Sequence, residues 1–130
     1  MDRSAARASE LPTLRDISEK EWSAQVADLA RMLNWFRYHT YRSDRSPAGF
    51  PDETLIRDRI VFLELKTETG RLSDAQRDVL TRIIHAGGEA YIARPRDLDV
   101  LANVLQTRDT TDICVEALAA ITRGELGLPP

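Results

Sequence analysis

The stretch Pro51-Asp52, followed by Ile60-Val61-Phe62-Leu63-Glu64-Leu65-Lys66, decides how this chain is read. From Ile60 to Leu65 the run is apolar except for Glu64, and Lys66 closes it. On a strand, successive side chains alternate faces. Val61, Leu63 and Leu65 then share one face, and Glu64 and Lys66 share the other. A carboxylate and an ammonium in such a run are costly to bury unless they pair or hold a metal ion. Upstream, Glu53 to Arg57 reads as a short strand and Arg57-Asp58-Arg59 as a tight turn, so the two strands make a hairpin. That hairpin brings Asp52, whose approach is stiffened by Pro51, beside Glu64.

Outward from the hairpin, helical and strand patterns follow one another. Ser18-Glu19-Lys20-Glu21 is a capping box that starts a helix with the stripe Trp22, Val26, Leu29 and Leu33, ended by Asn34. Trp35 to Tyr41 is aromatic-rich and reads as a strand, and Arg42 to Pro51 as a loop. Thr67 to Leu72 is a second loop that pivots on Gly70. Ser73 caps a helix carrying Val79, Leu80, Ile83 and Ile84, stopped by Gly87-Gly88. Ala90 to Ala93 is a fourth strand, and Pro95 starts a helix reaching about Leu105. A last amphipathic segment, about Thr110 to Arg123, has Ile113, Leu118 and Ile121 apolar and is closed by Gly124 and Pro129-Pro130. The order is α-β-β-β-α-β-α-α, and the helix between the third and fourth strands predicts a right-handed parallel crossover. Residues 1–16 read as a flexible leader, 17–106 as the main domain and 107–130 as a C-terminal helical extension.

With 130 residues, 42% of them hydrophobic and 30% charged, the chain has the make-up of one globular domain. It holds no apolar run of the roughly 18 residues that span a membrane, and no secretory signal at its start. The single Cys114 excludes an internal disulfide and a Cys-cluster metal site, and fits a reducing, cytoplasmic setting. The net charge of −3 is unlike that of a typical nucleic-acid binder. Charge is uneven, however: Arg37, Arg42 and Arg45 against Asp44 leave a local +2 between Arg37 and Phe50.

Two carboxylates at one point hold a hard divalent cation through oxygen. Lys66, one strand step from Glu64, is placed to orient water or to balance charge on a phosphate. Together these suit metal-assisted hydrolysis of a phosphodiester. Glu64 and Lys66 as a plain ion pair at a strand end is the competing reading. Glu19 lies three residues before Trp22, on the apolar side of the first helix, where a metal or water contact and a favourable helix-dipole charge both fit. Gln76 has the same placement on the second helix, but Ser73-Asp74-Ala75-Gln76 is also a capping box. Arg42 and Arg45 suit phosphate contacts or an ordinary solvated loop. His39 reads as a partly buried strand residue within reach of a phosphate.

These residues resemble the VRR-NUC (virus-type replication-repair nuclease) family of the PD-(D/E)xK superfamily. The pieces that carry the resemblance are Ser18 to Trp22, Tyr38-His39-Thr40, Gly49-Phe50-Pro51-Asp52, Phe62 to Lys66 and Gly70-Arg71-Leu72-Ser73-Asp74-Ala75-Gln76, within a span from about Ser18 to Leu105. The resemblance implies a restriction-endonuclease-like α/β fold: an αβββαβ core with a mixed four-stranded sheet flanked by helices, here with extra C-terminal helices. It implies a Mg²⁺- or Mn²⁺-dependent DNA nuclease with Asp52 and Glu64 as metal ligands and Lys66 as catalytic lysine. Glu19, as a further metal ligand, and Gln76 join the site by the same route. Compact members resemble phage proteins and junction resolvases, so branched, nicked or duplex DNA and a homodimer are the partners expected, in a bacterial or phage-infected cytoplasm. Glu53 stands where an apolar residue is more usual; it adds a carboxylate near the site, with a solvent-facing place on an edge strand as one option. The segment after Leu105 is expected to make a dimer contact or to cover a sheet edge.

The leading expectation is thus a structure-selective, metal-dependent DNA endonuclease. A catalytically idle nucleic-acid-binding or assembly subunit with the same fold, and a small structural protein of a phage-like particle, are the alternatives.

Overall fold

A computed structural model of the chain describes residues 13–41 and 44–130. After a 3₁₀ turn at Leu14–Asp16 come α1 (Glu19–Met32), β1 (Phe36–His39), β2 (Glu53–Ile56), β3 (Ile60–Leu65), α2 (Asp74–His85), β4 (Glu89–Ala93), α3 (Leu98–Gln106) and α4 (Ile113–Leu126). The strands form one sheet in the order β1-β2-β3-β4. The first three are antiparallel, and β4 runs parallel to β3 after the α2 crossover. This is the mixed four-stranded α/β architecture expected from the sequence.

Both capping boxes close as the sequence predicts. Glu21 N–H donates to Ser18 Oγ (3.1 Å) and Gln76 N–H to Ser73 Oγ (3.1 Å), which satisfies helix N–H groups that have no partner in the helix. Asn34 leaves α1 with φ 65°, the left-handed conformation that Asn tolerates best after Gly. Along α1 the buried face is Trp22, Val26 and Ala30, with Leu29 and Leu33 packed beside it. Trp22 Nε1 donates to Ala93 O (2.9 Å), so the largest core side chain also satisfies its polar atom.

The core has two compartments, one on each face of the sheet. Trp22, Leu55, Val61, Leu63, Leu65 and Tyr91 meet α3's Leu101, Val104 and Leu105 on the α1 side. Phe62, Ala90 and Ile92 meet Leu80 and Leu126 on the α2 side. Strand alternation along β3 produces both layers. The turn between β2 and β3 does more than reverse the chain. Arg57 lies over Trp35 (4.3 Å to the ring centroid) and donates to Leu33 O and Leu105 O, while Arg59 donates to Val104 O and Thr107 O. The carbonyls left open at the end of α3, which has no basic residue in its last turn, are met by these two arginines.

Three sequence expectations are corrected. Pro95 does not start one continuous helix: Pro95–Asp97 is a separate 3₁₀ turn, held because Asp97 Oδ2 accepts Arg94 N–H (2.9 Å). The last helix passes through Gly124 and stops at Gly127, whose φ of 71° ends it. Its buried stripe is Val115, Leu118, Thr122 and Leu126, whereas Ile113 and Ile121 are exposed. Thr122 explains the difference. Its hydroxyl donates to Leu118 O and accepts Ile92 N–H (3.1 Å), so a polar residue holds the buried stripe against the open edge of β4. Of the two uses foreseen for the C-terminal segment, α4 takes that of covering a sheet edge.

Gly49 lets the loop before Pro51 lie against α2. Its φ is +100°, and a Cβ there would sit 2.3 Å from Ala75 O. Gly87 has a similar φ of +88° but open space around it. Gly49→Ala is therefore expected to lose about 2–4 kcal/mol of stability, from strain plus a backbone clash, and Gly87→Ala about 1 kcal/mol from strain alone. Denaturant midpoints of the two variants check this, and equal losses would contradict the close approach.

Candidate active site

Asp52 reaches the site through the end of the β2-β3 hairpin. The register that sets Glu53 opposite Leu63 continues to place Asp52 opposite Glu64. Asp52 Oδ2 accepts Leu65 N–H (2.9 Å), and Asp52 O accepts Thr40 N–H (2.8 Å), so the residue is tied to β3 and to the end of β1. Pro51 O accepts the Thr40 hydroxyl (2.7 Å), which holds the approach to Asp52 from the other side.

Glu64 lies on β3, 1% exposed, and both carboxylate oxygens lack a hydrogen-bond partner. Lys66 Nζ is 3.9 Å from Glu64 Oε1, an electrostatic contact too long for a hydrogen bond. Burial, then the neighbouring Asp52, pushes the Glu64 carboxyl up to about 9, against the smaller opposing pull of Lys66. An acid so placed needs a proton or a cation. The two unpartnered oxygens of Glu64, beside the Asp52 carboxylate that lines the cavity, suit a hard divalent ion bound through oxygen. The residues therefore fit the metal that the resemblance implies, with Asp52 and Glu64 to hold it.

The remaining predicted site residues fall in different places. Glu19 is exposed at the start of α1, on the rim of a cavity of about 530 Å³ that Asp52 and Leu65 also line. Among the described residues no group of three His, Cys, Asp or Glu side chains is close enough to hold one ion. Glu19 thus shares the cavity with Asp52 without joining it and Glu64 in a three-acid cluster. Gln76 uses its Oε1 to accept Ser73 N–H (2.9 Å), so its side-chain oxygen serves the cap. Gly49 packs against the backbone of Ala75 and Gln76, which brings this helix start next to the Pro51-Asp52 loop. Arg45 is exposed in that loop, and Arg42 lies outside the described residues.

Arg37 was not foreseen at the site, and the burial of Glu53 there was not foreseen either. Glu53 does not face solvent: it has 0% exposure on β2, an inner strand, and takes Arg37 (2.8 Å) and His39 (2.9 Å) at its Oε1. Arg37 and His39 lie on β1, two residues apart and on one face, and both line the cavity. The signal was present in the sequence as Arg-x-His on one strand and an acid after Asp52 on the next. Linking them requires the β1-β2 register, which sets His39 opposite Glu53.

The loop after Lys66 is fixed from below. Arg94, 6% exposed, donates to Thr67 O, to Gly70 O (2.7 Å) and to Glu125 on α4. Lys66 N–H donates to Ala93 O (3.1 Å), extending the parallel ladder past the strand end. The C-terminal helix therefore bears on the chain that leaves the site.

A family model described as the VRR-NUC domain matches residues 6–97, most of the chain, ending at the turn before α3. No curated protein and no solved structure matches the chain. Nucleases of this family generally use divalent metals, in keeping with the carboxylate pair. Among the described residues no helix is long and apolar enough to cross a membrane. The chain belongs to the VRR-NUC family, whose domain implies nuclease activity on DNA.

Proposed function

We propose that the protein is a metal-dependent endonuclease that hydrolyses DNA phosphodiester bonds and selects DNA structure rather than sequence, in replication, repair or recombination of the phage type. The observation that carries the reading is Glu64, buried with both oxygens unpartnered opposite Asp52 and beside Lys66. Asp52 and Glu64 would hold Mg²⁺ or Mn²⁺. When bound, that ion supplies an acidified water and positive charge at the scissile phosphate. Asp52 is held for the task by Leu65 N–H, and Lys66, with 11% of its side chain exposed, faces the entering phosphate and the attacking water. In the reaction a water oxygen bonds to phosphorus and gives up a proton to solvent, the bond to the leaving oxygen breaks, and that oxygen takes up a proton from solvent. Lys66 stabilises the charge that develops on the phosphate. Glu19, on the cavity rim, acts through water, and Gln76 holds the helix start against the Pro51-Asp52 loop. Arg42 and Arg45 give phosphate contacts that position a branch without reading bases. The basic loop in a chain of net charge −3 supports a short contact with the backbone over groove reading.

Incubation with nicked, flapped, four-way and plain duplex DNA, with Mg²⁺ or Mn²⁺ and with chelator, tests this. Metal-dependent cutting that favours branched substrates is expected. No cutting of any substrate would overturn the reading, and equal cutting of plain duplex would overturn its structure-selective part.

A further inference from the structure

The cavity of about 530 Å³ between α1 and the sheet is within the roughly 300–1,000 Å³ of ordinary ligand sites. Its floor on α1 is small, with Ser23, Ala24 and Ala27, and its wall toward Asp52 carries Arg37 and His39. Alternation along β1 puts these two side chains on one face. Both converge on one oxygen, Glu53 Oε1. A carboxylate only accepts, so its contact with His39 places the proton on Nδ1. His39 is left its Nε2, and Arg37 the rest of its guanidinium fork, to meet what enters the cavity. Lys20 adds a second cation, after Arg37, to the lining.

Glu53 is a poor stabiliser where it stands. It is fully buried, and its Oε2 has no partner. A buried acid satisfied on one oxygen only is worth less to the fold than an apolar residue of the same size. What it does accomplish is to hold a guanidinium and an imidazole in fixed positions. A surface Arg loses rotamer freedom when it grips a ligand, and one already held by a buried acid loses less.

We infer that Arg37 and His39, positioned by Glu53, form a phosphate subsite. It takes a backbone phosphodiester of the DNA strand next to the one cut at Asp52 and Glu64. The group recognised is a phosphodiester anion, met by the Arg37 guanidinium fork and, when the ring carries a proton on each nitrogen, by His39 Nε2–H. That the anion belongs to the cut strand rests on the nuclease reading; the subsite itself rests on the cavity and on Glu53.

The test uses the full chain in chelator, so binding is read without cleavage. The probes are inorganic phosphate, the dinucleotide TpT with its single phosphodiester, and thymidine as control, read by the NMR signals of the His39 ring. TpT is expected to move these signals and thymidine is not. Arg37→Ala should abolish the shift and Arg37→Lys should restore part of it. In cleavage assays, Arg37→Ala should raise KM about tenfold, the loss of one charge-assisted contact, and lower kcat far less. The salt slope of DNA binding should fall by about one. Glu53→Gln keeps the shape and should raise KM in the same direction by less. Binding of inorganic phosphate but not TpT would overturn the proposal in favour of a free-anion site. So would unchanged TpT binding in Arg37→Ala, or a loss confined to kcat. If the protein cuts no DNA yet TpT still moves His39, the nuclease reading falls and the subsite stands. If it cuts DNA and Arg37→Ala leaves KM and TpT binding unchanged, the subsite falls and the nuclease reading stands.

Discussion

Replacing Lys66 by methionine is expected to lower the single-turnover rate of DNA cleavage by about 10²- to 10³-fold, the effect of removing one fixed group that stabilises transition-state charge. The ammonium is proposed to act on the scissile phosphate without holding the metal. It sits 3.9 Å from Glu64 Oε1, close enough to be steered by that carboxylate and too far to be consumed by a hydrogen bond to it. Methionine keeps the apolar stem, which is mostly buried, and removes the charge. The fold is therefore expected to survive, and so is the rise in melting temperature on adding Mn²⁺, because Asp52 and Glu64 are intact. Rate loss with retained metal response separates a catalytic lysine from a structural one. An unchanged rate would sink the assignment, and loss of the metal response would make Lys66 part of the binding cluster instead.

Local signals in the sequence were read well because they need no partner far along the chain. Ser18 with Glu21 and Ser73 with Gln76 are complete within four residues, and Asn34 ends α1 for a reason internal to its own backbone. The hairpin from Glu53 to Leu65 and the parallel return of β4 follow from turn length and crossover rules. The burial of Glu53 is not legible locally because it depends on register: once His39 pairs opposite it, Arg37 and His39 meet one oxygen of a buried acid. The α4 stripe was misread because Thr122 looks polar in sequence, yet spends its hydroxyl on Ile92 N–H at the edge of the sheet. For the site, strand alternation sets Glu64 and Lys66 on one face and the hairpin turn sets Asp52 beside them. The cavity beside them is not set this way, because its walls come from α1, β1 and β3, whose relative placement no motif records.

Position 64 carries the second large expectation, which concerns stability. Glu64→Gln should abolish metal-dependent cutting and, in chelator, make the folded protein more stable at pH 8 than the unsubstituted chain. The sign follows from the raised carboxyl. Folded, the Glu64 carboxyl is pushed up to about 9 by its burial; unfolded, it returns to its ordinary 4.5. The folded state thus binds the proton more tightly. The stability that this proton confers is full below 4.5 and is lost as pH rises, until it is gone above about 9. Between the two values the loss is up to about 1.4 kcal/mol per pH unit. A glutamine, always neutral, removes that slope. Asp16, Asp58 and Asp109 are held below the usual carboxylate range, by Thr13, Arg57 and Thr111 respectively, so their opposite contributions belong to more acid solution. Subtracting the variant's curve from that of the unsubstituted chain between pH 5 and 8 cancels the histidines common to both. Saturating Mn²⁺ should then reverse the order. An ion bound at 100 times its Kd adds about 2.7 kcal/mol to the chain that binds it, and the glutamine variant, lacking one of the two carboxylates, gains little. Denaturant unfolding at each pH, with chelator and with Mn²⁺, reads both halves of the crossover. Parallel curves in chelator would mean that Glu64 is not strained by its burial. A variant that Mn²⁺ stabilises as strongly as the unsubstituted chain would place the ion elsewhere.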